Sequence, residues 1–260
     1  MPTRAMWKGV LRVGKLSVPT TLHAAVEDVA VHFHLLHDED GIRVRQRLVN
    51  PVTGETRSGG EVHKGFEIAP GSFVLLTEDE LRSLEPEPSR EIRFHGFVPR
   101  SAIGPAWYDR PYYLLPDGQE ESYAALKTAL EKRGEVGVAH WVMRKIRYHG
   151  AVLPHGEHLV IVTLRTIDEV VKPPKVEPTQ RAAEARELSM AEQLVQALSG
   201  DFLPEDYEDE HRDRVRALVE AKARGRTPKK AIAPRRAPER SLSAALEASI
   251  ARVNKERKSA

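Results

Sequence analysis

Along residues 4–165, apolar residues gather in short runs, some alternating with polar ones, broken by glycine, proline and asparagine. This is the pattern of short strands bounded by turns. Runs of this kind stand at residues 10–13, 31–35, 91–98, 111–115, 136–143, 151–153 and 158–164, with Gly14 and Pro19 as early punctuation. Two segments carry helical spacing instead. One holds Tyr123, Leu126 and Leu130; the other follows Thr77 through Leu81 and Leu84. Thr77 can cap that second helix and Glu80 can return the capping bond, while Pro86 and Pro88 stop it. Many short strands with few helices predict a mainly β chain, an antiparallel barrel or sandwich, over a doubly wound sheet. No internal repeat is evident.

The alternation is sharpest at residues 42–49. On a strand, Ile42, Val44 and Leu48 share one face, and Arg43, Arg45 and Arg47 stand on the other, ~6.6 Å apart. Such a row of guanidinium groups can follow the charge of a polyanion, with nucleic-acid backbone the first candidate. The plainer reading is a solvated hairpin face that keeps a sheet edge soluble. Residues 50–55 read as a turn and residues 61–66 as a returning strand, so residues 38–70 are expected to form a projecting two-stranded ribbon. An isolated ribbon is weakly stable and needs a partner surface or a ligand to hold its shape.

The character changes at Asp168. Residues 172–178 read as an extended linker. Beyond it, Leu188, Ala191, Leu194, Val195 and Leu198 make one helical stripe, and Val215, Leu218 and Val219 make part of another after a start at Pro204. Two such helices cannot bury their stripes alone; they fold back or pack on a second subunit. Residues 223–240, rich in Arg, Lys, Pro and Ala, are expected to be disordered. At the end, Leu242, Leu246, Ile250 and Val253 fall on one helical face behind a possible cap at Ser241. The expected division is a barrel with its ribbon over 1–170, a linker and helical arm over 171–225, and a basic tail with a short docking helix over 226–260.

Charge sharpens this division. The net charge of +2 conceals a tail, residues 222–258, with twelve Lys/Arg against three Asp/Glu, so the rest of the chain is acidic overall. A basic tail attracts nucleic acid or an acidic partner with strong salt dependence. No apolar run approaches the ~20 residues of a membrane-spanning helix, and no signal-peptide core opens the chain, so a cytoplasmic location is expected. The absence of cysteine excludes disulfides, thiolate nucleophiles and cysteine-based metal sites. His32, His34 and His37 are the nearest histidine group but lack a metal-binding motif, so no metal or other cofactor is expected. Nucleotide-binding, nucleophile-elbow and kinase signatures are missing, which argues against an enzyme. The acidic clusters at 78–80 and 205–210 sit at expected helix starts, where carboxylates offset the helix dipole. Lys8, Arg12 and Lys15, and likewise Arg144, Lys145, Arg147 and His149, are surface residues taken singly; with Arg43, Arg45, Arg47 and Lys64 they offer a second phosphate-contacting surface if the fold gathers them. Trp7, Trp107 and Trp141 lie in strand-like apolar sequence, where a core role outweighs base stacking.

A family resemblance runs through these same segments. Trp7-Lys8-Gly9-Val10 with Gly14 and Val18-Pro19, Phe33-His34-Leu35-Leu36-His37, Thr53-Gly54-Glu55, and residues 62–67 and 76–81 resemble the bacterial Ku family. Residues 92–99, Asp109-Arg110-Pro111-Tyr112-Tyr113-Leu114, Thr166-Ile167-Asp168-Glu169-Val170 and residues 198–207 continue it in order, so that it covers about 4–225. The resemblance implies a homodimer whose barrels and interlaced arms form a ring threaded by double-stranded DNA ends in non-homologous end joining. Residues 38–70 would then be the main part of the arch, with Arg43, Arg45, Arg47 and Lys64 as contacts. Residues 177–225 would be the arm packed on the other subunit through Leu188, Leu194, Leu198, Val215 and Leu218. Leu242, Leu246, Ile250 and Val253 would recruit ligase D, behind a short form of the family's basic tail. The chain departs from the pattern at Arg12-Val13-Gly14-Lys15, where Ser-Phe-Gly-Leu is common, and at Thr20, where valine is common.

Overall fold

A computed structural model describes residues 4–175 and 184–225 together with residues 246, 249 and 250. The chain divides into two compact units, residues 1–29 with 33–172 and residues 30–32 with 173–260.

The first unit opens with a hairpin of β1 (Trp7–Val13) and β2 (Leu16–Ala24), turned at Gly14 with φ +56°. An insertion follows, holding β3 (Leu48–Val49), β4 (Thr56–Arg57), β5 (Lys64–Ala69), β6 (Ser72–Leu76) and α1 (Glu78–Ser83). Then come β7 (Glu91–Pro99), β8 (Tyr108–Pro116), α2 (Glu120–Arg133), β9 (Glu135–Met143), β10 (Ile146–His155) and β11 (His158–Leu164). Seven of these strands close into a barrel in the order β1-β2-β8-β11-β10-β9-β7. The predicted mainly β barrel with an insertion and C-terminal helices is the fold found. Its ladders are antiparallel except at the closing seam, where β1 lies parallel to β7.

Strand alternation fills the barrel. Leu11, Leu22, Ile92, Leu114, Trp141, Val152 and Ile161 are fully buried, and Tyr123, Leu126 and Leu130 of α2 join the same core. Burial raises the Tyr123 phenol above its ordinary pKa. Its hydroxyl donates to the Leu114 carbonyl and accepts from the Leu159 amide, each at 2.6 Å, tying α2 to two strands. Large rings need small neighbours here. A Cβ on Gly137 would stand 2.1 Å from the Phe94 ring, and one on Gly150 would stand 2.7 Å from Trp141. The register of β7 against β9 shifts between Phe94 and Gly96, a bulge that leaves His95 unpaired in the ladder and lets Phe94 and Phe97 both meet Gly137.

The pairing also fixes which ends meet. Because β7 runs parallel to β1 and β9 runs against β7, the starts of β1 and β7 share one barrel end with the β9–β10 turn. The insertion leaves from the end of β2 and returns at β7, at that same end. The β1–β2 turn lies at the other.

The insertion is not the single ribbon expected from sequence. Residues 31–35 form no strand, and residues 42–49 are not one strand either: Arg43 bridges Leu36, and only Leu48 and Val49 are ladder residues, paired with Arg57 and Thr56. The segment at 61–66 does not return to residues 42–49 but begins a separate hairpin, β5 with β6. The physical reason is burial. No residue from 25 to 90 is buried, so nothing outside each local turn fixes a long register. The Thr77 cap forms as predicted, with the Thr77 amide donating to Glu80 Oε2 at 2.8 Å and the Glu80 amide donating to Thr77 Oγ1 at 3.2 Å.

In the second unit, α3 (Ala185–Leu198) and α4 (Glu210–Ala223) carry the expected stripes. Neither helix buries a residue. Pro204 opens a single 3-10 turn rather than the second helix, which starts at Glu210 with Asp209 Oδ1 accepting the Arg212 amide at 3.0 Å.

Candidate nucleic-acid interface

Basic residues fall into three groups on the first unit. The first is on the insertion. Arg43, Arg45 and Arg47 are exposed, and none makes an ion pair or side-chain hydrogen bond among the described residues. Arg43 and Arg45 stand on the walls of a groove of about 610 Å³ shared with Phe33 and Leu35; Arg47 lies outside it. Neighbouring cations differ. Arg57 is held by Glu55 and Glu61, and Lys64 pairs with Glu78 at 3.3 Å. Unpaired cations gathered on one surface raise the local positive potential, which draws anions toward it.

The second group is at the barrel end from which the insertion emerges. Lys8 near the start of β1 and Arg144 and Lys145 in the β9–β10 turn line one cavity there, with Arg82 and Arg90. Lys8 reaches Asp117 at 3.2 Å and Lys145 reaches Glu85 at 3.0 Å, both exposed pairs that a polyanion can displace at little cost. Lys15 does not join this group, since it sits in the β1–β2 turn at the opposite end.

The third group is a row across the outer face of the barrel. Ladder partners run Arg12 to Arg93, Arg93 to His140 and His140 to His149, crossing β1, β7, β9 and β10. Adjacent strands are ~4.8 Å apart, so the row spans roughly 14 Å. Arg147 lies two residues from His149 and is exposed. His95, set outward by the bulge, stacks on His140 with centroids 4.5 Å apart, and its Nε2 lies 2.7 Å from His140 Nδ1. The His149 ring is 6.4 Å from that of His140. Glu91 is the carboxylate in the row; hydrogen bonds from Arg12 and Arg93 hold it below its ordinary pKa, so it stays charged and offsets part of both cations. His140 is shifted down too, first by burial and then by the nearby His95, Arg147, His149 and Arg93.

The arrangement of exposed cations can contact a chain of phosphates. Among the described residues, no group of three His, Asp or Glu side chains is placed to hold a metal ion, His32, His34 and His37 included. No helix among them is long and apolar enough to cross a membrane. Trp141 is core and Trp7 packs against it, while Trp107 is half-buried.

A family profile described as the Ku70/Ku80 beta-barrel domain matches residues 12–190. The chain belongs to the Ku family. Curated relatives include the "Non-homologous end joining protein Ku" of Anaeromyxobacter sp. (strain K), 38% identical over 95% of this chain and 85% of that one. The protein of that name from Archaeoglobus fulgidus is 32% identical over 86% of this chain and 89% of its own. That from Cereibacter sphaeroides is 33% identical over 98% of each. The Ku match spans the barrel from Arg12 onward, the whole insertion and the first turns of α3.

Sequence reading missed Arg93, His95 and His140 as members of the outer row, and Arg82 and Arg90 at the barrel end. The β1–β7 and β7–β9 pairings bring Arg93, His95 and His140 beside the candidates already named, and the cavity lining brings Arg82 and Arg90 beside Lys8, Arg144 and Lys145. The arm candidates Leu188 and Leu198 are 55% and 65% exposed, Leu218 is 40% exposed, and Leu194 and Val215 are half-buried. Leu246 and Ile250 are helical and half-buried; Leu242 and Val253 lie outside the described residues.

Proposed function

We propose that this chain binds ends of double-stranded DNA without reading sequence, as a non-catalytic component of non-homologous end joining. The observation that carries the reading is the set of three exposed, unpaired guanidinium groups at Arg43, Arg45 and Arg47 on an insertion with no buried residue. Membership of the Ku family and the names of the relatives support it. Phosphate contacts position a duplex without carrying a base code. The barrel-end cations Lys8, Arg144 and Lys145 and the outer row with Arg12 and Arg147 would add contacts, as would Lys64 once freed from Glu78.

Two copies acting together fit this reading. Among the described residues no side chain of the stripes at Leu188, Leu194 and Leu198 and at Val215 and Leu218 is fully buried, and a second copy is the partner whose matching stripe would cover them. Two copies around a duplex would admit DNA only from a terminus. Six arginines from two insertions would release about five counterions, so affinity would fall roughly 10³-fold between 50 and 200 mM salt. The domain boundaries near 170 and 225, the recruitment of ligase D by residues 242–253, and a cytoplasmic, nucleoid-associated location belong to the same proposal.

Retention on linear and covalently closed circular duplexes of equal length tests it. End-dependent retention is expected. Equal binding to both forms would favour a sequence-neutral nucleic-acid chaperone, and binding to neither a structural scaffold. Changing Arg43, Arg45 and Arg47 together to Glu should abolish binding to linear duplex at unchanged melting temperature.

A further inference from the structure

Three histidine rings meet on the outer face of the barrel, one each from β7, β9 and β10. His95 stacks on His140 with centroids 4.5 Å apart, and His149 stands 6.5 Å from the first and 6.4 Å from the second. A pocket of about 260 Å³ opens beside His140, lined also by Arg93, Arg147 and Ser89 with the carboxylates Glu87 and Glu91. That volume is below the range of pockets that enclose drug-sized ligands, and a phosphate group fits within it. Charge reaches His140 from both flanking strands: Glu91, Arg93 and His95 from β7, and Arg147 and His149 from β10. Arg12 of β1 acts through Glu91, which it shares with Arg93. Arg147 is exposed and has no ion pair or side-chain hydrogen bond among the described residues. The helix α2 meets β9 and β10 with Tyr123, Leu126 and Leu130, and its Lys127 and Glu131 bond to each other at 2.7 Å. Beyond β11, Arg165 pairs with Asp109 at 3.2 Å.

His95 Nε2 and His140 Nδ1 are 2.7 Å apart, a hydrogen bond that takes one N–H and one bare nitrogen. A neutral imidazole carries a single N–H. Whichever ring donates, the two nitrogens left over are then one N–H and one bare nitrogen. A proton added to the bare one keeps the bond, gives the pair a positive charge and makes both remaining nitrogens donors. A second proton would set two N–H groups head to head and break the bond. The pair is therefore built to take up one proton. Burial first, and then the neighbouring His95, Arg147, His149 and Arg93, hold His140 below its ordinary pKa. An anion among these groups acts in the opposite direction, since an opposite charge favours the protonated ring.

We propose that this pocket takes a backbone phosphate of the bound duplex, and that the phosphate draws a proton from solvent onto the His95–His140 pair as it binds. Arg93 and Arg147 would hold the phosphate oxygens at any pH, and the protonated pair would add a positive charge and a donor. Affinity then rises as the pH falls through the range in which histidine changes charge. The proposal rests on the end-binding reading above and adds to it a proton taken up on binding.

The test uses the full chain and a linear duplex at constant ionic strength. Affinity is read by fluorescence anisotropy, and protons are counted by calorimetry in buffers of different ionisation heat. From about pH 8 to about pH 6 affinity should rise about tenfold, with an average uptake of about half a proton per duplex bound, the value that corresponds to that slope. The double variant His95→Gln, His140→Gln should lose both the slope and the uptake. The double variant His155→Gln, His158→Gln, at the β10–β11 turn, should keep both. Inorganic phosphate at millimolar concentration separates a backbone phosphate from a free anion, and the uptake on duplex binding should survive it. The calorimetric count on the unaltered chain needs no variant to fold. Equal affinity at both pH values, no uptake by the unaltered chain, a slope retained by the first variant or lost by the second, or an uptake abolished by inorganic phosphate would each overturn the assignment. Failure to bind the duplex at either pH would instead overturn the end-binding reading itself.

Discussion

In the barrel, Leu11, Leu22, Ile92, Leu114 and Trp141 are wholly removed from water, while in the insertion Phe33, Leu36, Ile42, Phe66 and Leu75 are each at least 60% exposed. Both regions are built from short antiparallel hairpins with similar residues. The difference is closure. Seven strands joined edge to edge give every inward side chain neighbours on several sides, whereas a two-stranded hairpin gives its side chains a neighbour on one side only. A region of the first kind holds its shape alone; one of the second takes its final order from whatever it touches, and that suits a segment carrying unpaired arginines.

Changes in the barrel should therefore break the fold, and matched changes in the insertion should not. Trp141→Ala is expected to cost about 3–5 kcal/mol in denaturant unfolding, as for a fully buried ring. Phe66→Ala should leave that transition within about 0.5 kcal/mol. Comparable losses at both sites would erase the contrast. Tyr123→Phe should cost roughly 1–3 kcal/mol, because the Leu159 amide and the Leu114 carbonyl lose their common buried partner.

A smaller effect sharpens the comparison within the insertion. Thr77→Ala should weaken the start of α1 by about 1 kcal/mol. Faster amide exchange at residues 78–81 should report it, with exchange in β7–β11 unchanged. The smallest effect is at His140 and concerns acid. Its pKa is below the ordinary histidine value, so the folded chain binds this proton less readily than the unfolded chain does. Stability should then decline as the pH falls below about 6.5. His140→Gln should flatten that part of the melting-temperature profile. The carboxylates Glu91 and Glu135 are shifted down by Arg12 with Arg93 and by Arg133, so their contribution is lost in a separate window, below about pH 4.5.

Much of the barrel was legible because its code is local. Short apolar runs bounded by turns mark β9, β10 and β11, the spacing of Tyr123, Leu126 and Leu130 marks α2, and Thr77 with Glu80 marks the start of α1. The candidate site was legible in part. Arg43, Arg45 and Arg47 were singled out as candidates and are exposed in the structure, but alternation made them one strand. Alternation predicts a strand only where one face is covered, and here neither is. Pro204 misled for a related reason: a proline suits the first turn of an α-helix and of a 3-10 turn equally well.

By itself, then, the chain determined which segments could be strands or helices, where they cap and stop, that no cysteine chemistry is open to it, and which residues carry positive charge; all of these follow from neighbours a few positions apart. Only the tertiary structure decided that β1 closes on β7, that Arg12, Arg93, His140 and His149 stand in one row, and that Lys8 and Arg144 share a cavity while Lys15 does not. Strand pairing joins residues as distant as Thr20 and Pro116 through backbone hydrogen bonds that are the same for every side chain, so it leaves no mark at the residues it brings together.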